Sequence, residues 1–375
     1  MRSRPLRVLH VLAELKPSGA ETMLVAAAPL FRASGVEAEV LSTGAVPGSF
    51  AERFRQAGYR VHHLPFSRSP GFLLKERSLM RAGQYDVIHL HCEQANFYHG
   101  LAAWSAGPNI ILRTIHNAFA FTGNLRWRRG IQRRLLHTLG IRHVSISSSV
   151  KETEVHCYGL PTTLVWNWYD SFRFVATTPS TRAAARASFD LRENDFAIVS
   201  IGNCSDVKNH ASLIRAMAQL SPAERPIYLH VGVEETDRPE RKLAQELEIQ
   251  DRTRFLGLMH DVLPILQAAD AFVMPSLYEG FGIAAIEALA TGLPALFADV
   301  AGLRDFRPDF PHLVYTGTSV EEIAEGLLVL IRMPSEQRTI IRQKYPAIAS
   351  RLFGMERGVT EYLSIYRGLT NAHVQ

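Results

Sequence analysis

The sequence predicts an α/β protein of two Rossmann-like domains, each wound on a parallel sheet. Three observations lead there. The chain has 375 residues, more than a single core usually serves. Short apolar runs alternate with helical patterns at the spacing of βαβ units. The alternation pauses once, over residues 170–195, and then resumes. A hydrophobic content of 47% and a charged content of 21% are ordinary for a globular chain.

The elements follow in order. "LRVLHVLA" (6–13) reads as a buried strand and "AETMLVAAAPLFRASG" as a helix ending near Gly35. "VEAEVLST", "RVHHLPF", "YDVIHLH", "NIILRTIH", "RHVSISSS" and "TTLVWN" read as further strands. The polar stretch 170–195 carries a Thr-Thr-Pro-Ser cluster, a turn signal. The domain junction is placed there, with domains at 1–175 and 176–354. "FAIVSIG" (196–202) opens the second series, followed by strands at "PIYLHVG", "TRFLG", "AFVMPS" and "PALFAD". An amphipathic helix, about 355–375, closes the chain. Two such sheets are expected to leave an interdomain cleft, with ligands beyond the carboxyl ends of the strands.

Composition narrows the function classes. The formal charge of +5 admits a phosphorylated ligand, an anionic surface or nucleic acid. No nucleic-acid module is visible, so nucleic-acid binding is not expected. Three scattered cysteines, Cys92, Cys157 and Cys204, offer no disulfide framework and fit a reducing cytoplasm. The opening "MRSRPLRVLHVLAELKPSG" is broken by His10 and Glu14 and reads as a first strand rather than a leader. No run approaches the roughly 18 apolar residues of a membrane helix.

Several segments carry chemistry. "KPSGAE" (16–21) lacks the G-x-G-x-x-G spacing of a nicotinamide site. Gly19 would still let backbone amides approach a phosphate at a helix start. "IGNCSDVKNH" (201–210) puts Lys208 near another helix start, where the macrodipole disfavours a cation unless an anion joins it. "EGFGIAAIE" puts Glu279 and Glu287 at the ends of a stretch that otherwise reads as buried. Buried carboxylates call for partners. His89, His91 and Cys92 cluster at a strand end without a visible third ligand, so cleft lining or core filling is expected and no metal site. "LRWRRGIQRRLLHTLG" (125–140) is either a surface for anionic lipid, through Arg126, Arg128, Arg129, Arg133 and Arg134, or a solvated helix with Trp127 packed inward.

"PSLYEGFGIAAIEALATGLPALFAD" (275–299) resembles the E-x7-E signature of retaining glycosyltransferases of family 4, which have the GT-B fold. "VLHVLAELKPSGAE" is similar to the opening strand and glycine loop of that family, "TIHN" (114–117) to its histidine-bearing strand end, and "WNWYDSFRF" (166–174) to its junction segment. The resemblance covers nearly the whole chain. It implies a metal-independent enzyme without cofactor. A sugar would move from a nucleotide diphosphate donor, of UDP or GDP type, to a hydroxyl of a glycan or lipid-linked glycan. Surface polysaccharide biosynthesis, at or near the inner face of the membrane, is the implied setting. The resemblance implies that Glu279 holds the sugar, Glu287 the ribose and Lys208 the diphosphate. Gly19 and the backbone amides of Gly280, Phe281 and Gly282 would complete those contacts, and His116 would lie near the reacting centre.

Two positions depart from the family pattern. Asn203 follows Gly202 where an arginine is usual, so the diphosphate loses a cation and Asn203 brings only hydrogen bonds. Trp168 stands where a glycine is expected. The first departure motivates a rival reading, a binding or scaffold protein with a decayed donor site. A sugar-nucleotide epimerase on the same fold is a third, which the E-x7-E spacing disfavours.

Overall fold

The structure, a computed structural model, describes residues 4–118 and 120–369. The chain forms two compact units. One runs to Trp168 and resumes at Met355; the other spans Tyr169–Gly354.

The first unit holds β1 (Leu6–Leu12), β2 (Val36–Ser42), β3 (Arg60–His63), β4 (Val87–Leu90), β5 (Ile110–Ile115), β6 (Arg142–Ser145) and β7 (Thr163–Leu164). They lie in the order β3-β2-β1-β4-β5-β6-β7, and neighbouring strands pair in parallel. β1, β4 and β5 are buried almost throughout. Helices cover both faces of such a sheet, which is why its strands read as unbroken apolar runs.

The second unit repeats the plan with β8 (Ala197–Ile201), β9 (Ile227–Val231), β10 (Thr253–Phe255), β11 (Ala271–Met274), β12 (Ala295–Ala298) and β13 (Val314–Thr316). The order is β10-β9-β8-β11-β12-β13. In each unit the winding reverses beside the first strand, between β1 and β4 and between β8 and β11. Ligands of open parallel sheets bind at such a reversal.

The units part at Trp168, earlier than the 175/176 junction read from the sequence. The polar stretch beyond it holds regular structure. Thr178 and Thr181 form a reciprocal cap that starts a helix, Pro179–Ser188. Arg182 and Arg186 of that helix bind Asp270 at 2.6 and 3.1 Å, and Asp270 also accepts the Ala197 amide at 2.9 Å. The helix therefore belongs to the second unit.

After the helix Ser335–Phe353 the chain returns to the first unit as the helix Met355–Tyr366. Residues 370–375 of the expected closing helix lie outside the described residues. Trp168 is buried against the returning helix, with its ring 5.6 Å from that of Tyr362. A Cβ at Gly358 would come within 2.2 Å of the indole. The bulky residue at the junction is thus accommodated by a missing side chain opposite. Among the described residues no helix is long and apolar enough to cross a membrane.

Candidate functional site

In the second unit, the turn after β8 and the loop after β11 meet at the winding reversal. Asp206–Lys208 forms one turn of 3-10 helix. Asn209 follows in the left-handed region and donates its side-chain amide to the carbonyls of Pro275 and Thr318, at 3.2 and 3.1 Å. The Leu277 amide donates to the Val207 carbonyl at 2.8 Å. These bonds bring Lys208 to Glu279, Nζ to Oε1 at 2.5 Å. Ser276 Oγ donates to the same oxygen at 3.1 Å. The spacing of the sequence could not show this pair, which joins residues 71 apart.

Two glycines shape the Glu279 loop. Gly282 has φ +88° and precedes the helix Ile283–Ala290. A side chain there would strain the backbone. Gly302, which the sequence reading missed, has φ +82°, and a Cβ on it would sit 2.6 Å from the Glu279 carbonyl oxygen. Gly280 and Phe281 lie between them. The ring of Phe281 is buried 5.0 Å from Phe306 and 5.2 Å from Phe353. It anchors the loop in the core, while the donor contact expected at Phe281 is one of its backbone amide.

Glu287 stands on the helix Ile283–Ala290 and is only 8% exposed. No hydrogen bond to its carboxylate is seen among the described residues. Burial pushes its carboxyl up to about 8; Arg173 opposes this and Asp170 adds to it. A carboxyl so displaced, without a protein partner, is characteristic of a ligand site. Asn203 is already engaged, since its side-chain oxygen accepts the Val233 amide at 3.0 Å and so ties the turn after β8 to that after β9.

In the first unit Gly19 opens the helix Gly19–Ala33, directly after the β1 turn. His116 follows β5 and belongs to a group that the sequence only half revealed. His10 on β1 is the register partner of His89 on β4. Single nitrogens of His10, His89 and His91 lie within 4.8 Å of one another. His10 is the third imidazole missing from the sequence reading, because strand pairing, not spacing, brings it in. Cys92 does not join them; its thiol contacts the Val11 carbonyl at 3.6 Å and Thr43 at 3.8 Å. His89 donates to or accepts from Tyr366 Oη at 2.7 Å and Thr114 Oγ1 at 2.6 Å.

The basic helix spans Gly123–Thr138, and its arginines divide. Arg133 is buried, bound to Glu154 and Glu93 at 2.9 Å each, with Tyr158 beneath it at 4.3 Å. Arg129 donates to the Gln94 carbonyl at 3.2 Å. Arg133 therefore cannot serve the lipid contact expected of it, because a buried charge stays with its partners. Arg126, Arg128 and Arg134 are exposed. Trp127 is not packed inward: it is 74% exposed, in one stripe with exposed Ile131 and Leu135.

Comparison with known proteins agrees with this architecture. Residues 17–173 match the model described as Glycosyltransferase Family 4, and residues 181–346 match Glycosyl transferases group 1. The putative glycosyltransferase EpsF of Bacillus subtilis is 27% identical over 326 residues, 80% of either chain. An Escherichia coli UDP-Gal:alpha-D-GlcNAc-diphosphoundecaprenol alpha-1,3-galactosyltransferase is 24% identical, over 61% of this chain and 62% of that one. Among solved structures, a Rickettsia africae glycosyltransferase superposes with TM-score 0.83 at 17% identity, over 99% of this chain and all of that one. HepE of Anabaena, solved with UDP and glucose, gives 0.81 at 20% identity, over 97% and 100%. Two sheets of the same winding, a carboxylate and a lysine joined at the reversal of the second, and family models over both halves lead to one conclusion: the chain belongs to the GT-B glycosyltransferases of family 4.

Proposed function

We propose that the protein is a retaining glycosyltransferase that moves a sugar from a nucleoside diphosphate sugar to a hydroxyl of a glycan or lipid-linked glycan, in surface polysaccharide biosynthesis. The observation that carries this reading is the Lys208–Glu279 pair at the reversal point, 2.5 Å apart. Lysine and carboxylate side by side offer a cation for a diphosphate and an acceptor for sugar hydroxyls. Glu287, unpartnered on the next helix, suits the ribose hydroxyls. The E. coli relative, named for a UDP-sugar donor and a diphosphoundecaprenol-linked acceptor, supports the substrate class. HepE in complex with UDP-glucose shows this fold holding such a donor.

In the proposed reaction the bond from the anomeric carbon to the diphosphate oxygen breaks. The acceptor oxygen bonds to the same face, and its proton passes to the departing diphosphate. Lys208 stabilises the charge that develops there, the part a divalent ion plays in other transferases. No protein nucleophile is needed, so catalysis rests on positioning. His116 contacts the sugar or acceptor. The donor nucleoside is uridine or guanosine.

The acceptor would be met at an anionic bilayer through the outer stripe Trp127, Ile131 and Leu135, flanked by Arg128 and Arg134. A charged rim around an apolar stripe is the pattern of an interfacial helix. On this reading the protein works in the cytoplasm, at the membrane face.

A second reading, a binding protein with a decayed donor site, is favoured by Asn203, which contributes no cation and is tied to Val233. A thermal-shift panel of nucleoside diphosphates and their sugars separates the two. At 100 times the dissociation constant, a ligand stabilises the fold by about 2.7 kcal/mol. A shift with one base, lost in Lys208→Ala, supports the transferase. No shift with any nucleotide, with acceptor present as well, favours the binding protein. Retention is tested by the anomeric configuration of the product; inversion would overturn the same-face step.

A further inference from the structure

Three of the four clustered histidines form a line. β1, β4 and β5 are neighbours in the sheet; His10 lies within the carboxyl half of β1, and His91 and His116 stand just past β4 and β5. His10 Nδ1 lies 3.0 Å from His91 Nε2. His91 Nδ1 lies 3.1 Å from His116 Nε2. The rings of His91 and His116 are stacked at 29°. His89 stands beside the line with both nitrogens taken by Tyr366 and Thr114. Its ring lies 3.9 Å from that of His91, tilted by 32°.

Burial keeps the line neutral at pH 7. It pushes His10 down to about 3 and His116 to about 4, and holds His91 well below the usual imidazole range. A neutral imidazole has one N–H and one lone pair. Each link needs one of each, so the protons of the line all point towards His116 or all towards His10.

The inner end decides between them. His10 Nε2 is sealed from solvent and has no hydrogen-bond partner among the described residues. With the protons pointing inward, it would carry an orphaned N–H, which folded proteins rarely tolerate. Pointing outward, it carries only a bare lone pair. The outer end imposes no choice, because His116 is half-buried and its Nδ1 is not a sealed orphan.

We propose that His10 and His91 are positioning residues that fix His116 as its Nδ1–H tautomer, presenting an N–H donor outward. The consequence for transfer rests on the role proposed for His116 above. There it binds a substrate oxygen and is not the base, which agrees with a departing diphosphate that takes the acceptor proton. The tautomer itself is a property of the unliganded chain, so it can fail or stand independently of that reaction.

The test is nitrogen–proton correlation of the imidazole rings in the full chain labelled with [15N]histidine, with His116→Ala to assign the signal. The expected result is Nδ1–H for His10, His91 and His116 between about pH 6 and 8, although imidazole side chains in water favour Nε2–H. His91→Gln, which retains an N–H donor, should keep His116 as Nδ1–H. His91→Leu should lose the single tautomer and give a mixture. Nε2–H at His116 in the wild type would overturn the proposal, and so would an unchanged tautomer in His91→Leu. A chelatable metal on His10, His89 and His91 would overturn it too, since it would take the nitrogens that link the line. If His91→Leu does not fold, the wild-type spectrum alone still decides. Loss of transfer in His116→Ala tests the reaction separately.

Discussion

Lys208 and Glu279 each answer a problem posed by the other. Glu279 is largely buried, with side-chain exposure of 11% against 28% for Lys208, and the ammonium neutralises it. In Lys208→Ala the carboxylate keeps Ser276 as a donor. The expected loss of stability is therefore small, about 1 kcal/mol as for other partly exposed pairs. Donor-induced thermal shift and transfer should both disappear. Glu287 behaves differently. Its folded pKa of about 8 lies above that of an unfolded glutamate. Below the unfolded value both states hold the proton and nothing is lost. As pH rises towards 8 the unfolded chain gives up that proton first, and stability falls. Glu287→Gln should therefore melt above wild type at pH 8, with the gain vanishing near pH 4, while donor binding weakens. An equal melting temperature at both pH values would remove the buried-carboxyl account. Glu279 and Lys208 were readable from loop position and residue type, and Glu287 from its place at the far end of the same apolar stretch. His10 was not, because it joins His89 through strand register.

The helix Gly123–Thr138 shows why an element can mislead when arginines lie on every side. Its inner face carries a charge of its own beside Leu136. Arg133 sits between Glu154 and Glu93, and Glu93 also holds Arg113 at 2.8 Å. Arg133→Ala would leave Glu154 buried without a cation. A loss of about 3–5 kcal/mol is expected, seen as a lowered denaturant midpoint. Trp127→Glu has no such burial to disturb and should leave stability within about 0.5 kcal/mol. It should, however, reduce flotation with anionic vesicles, and persistence of vesicle binding would count against the lipid surface. The stretch 170–195 hides regular structure. Its turn residues marked the domain junction, yet Thr178 is a helix cap and Asp270 supplies the counter-charge for Arg182 and Arg186. Counter-charges 80 or more residues away cannot be read from local composition.

At the scale of the molecule, the chain leaves the first unit at Trp168 and returns at Met355. Trp168 packs on the returning helix, which also brings Tyr366 to His89. Gly358→Ala would force a methyl into the indole, 2.2 Å away. Overpacking of this kind costs about 1–3 kcal/mol. Hydrogen exchange should rise in the returning helix and around Trp168, while the second unit, Tyr169–Gly354, keeps its protection. Unchanged exchange at the returning helix would mean that the indole shifts freely.

The sequence by itself determined the fold class, the two parallel sheets and the family, because those depend on periodicity and on one local signature, E-x7-E. It also named Glu279, Glu287, Lys208 and His116, through the segments that resemble the family. Only the tertiary structure decided which of these meet. The Lys208–Glu279 bond, the His10–His91–His116 line, the burial of Arg133 and the fit of Trp168 over Gly358 all join residues far apart in the chain. Such contacts are set by strand order and register, by which side of a helix faces the core, and by where the chain crosses between units. Hydrophobic periodicity constrains these weakly, since it records that a residue is buried and not what it is buried against.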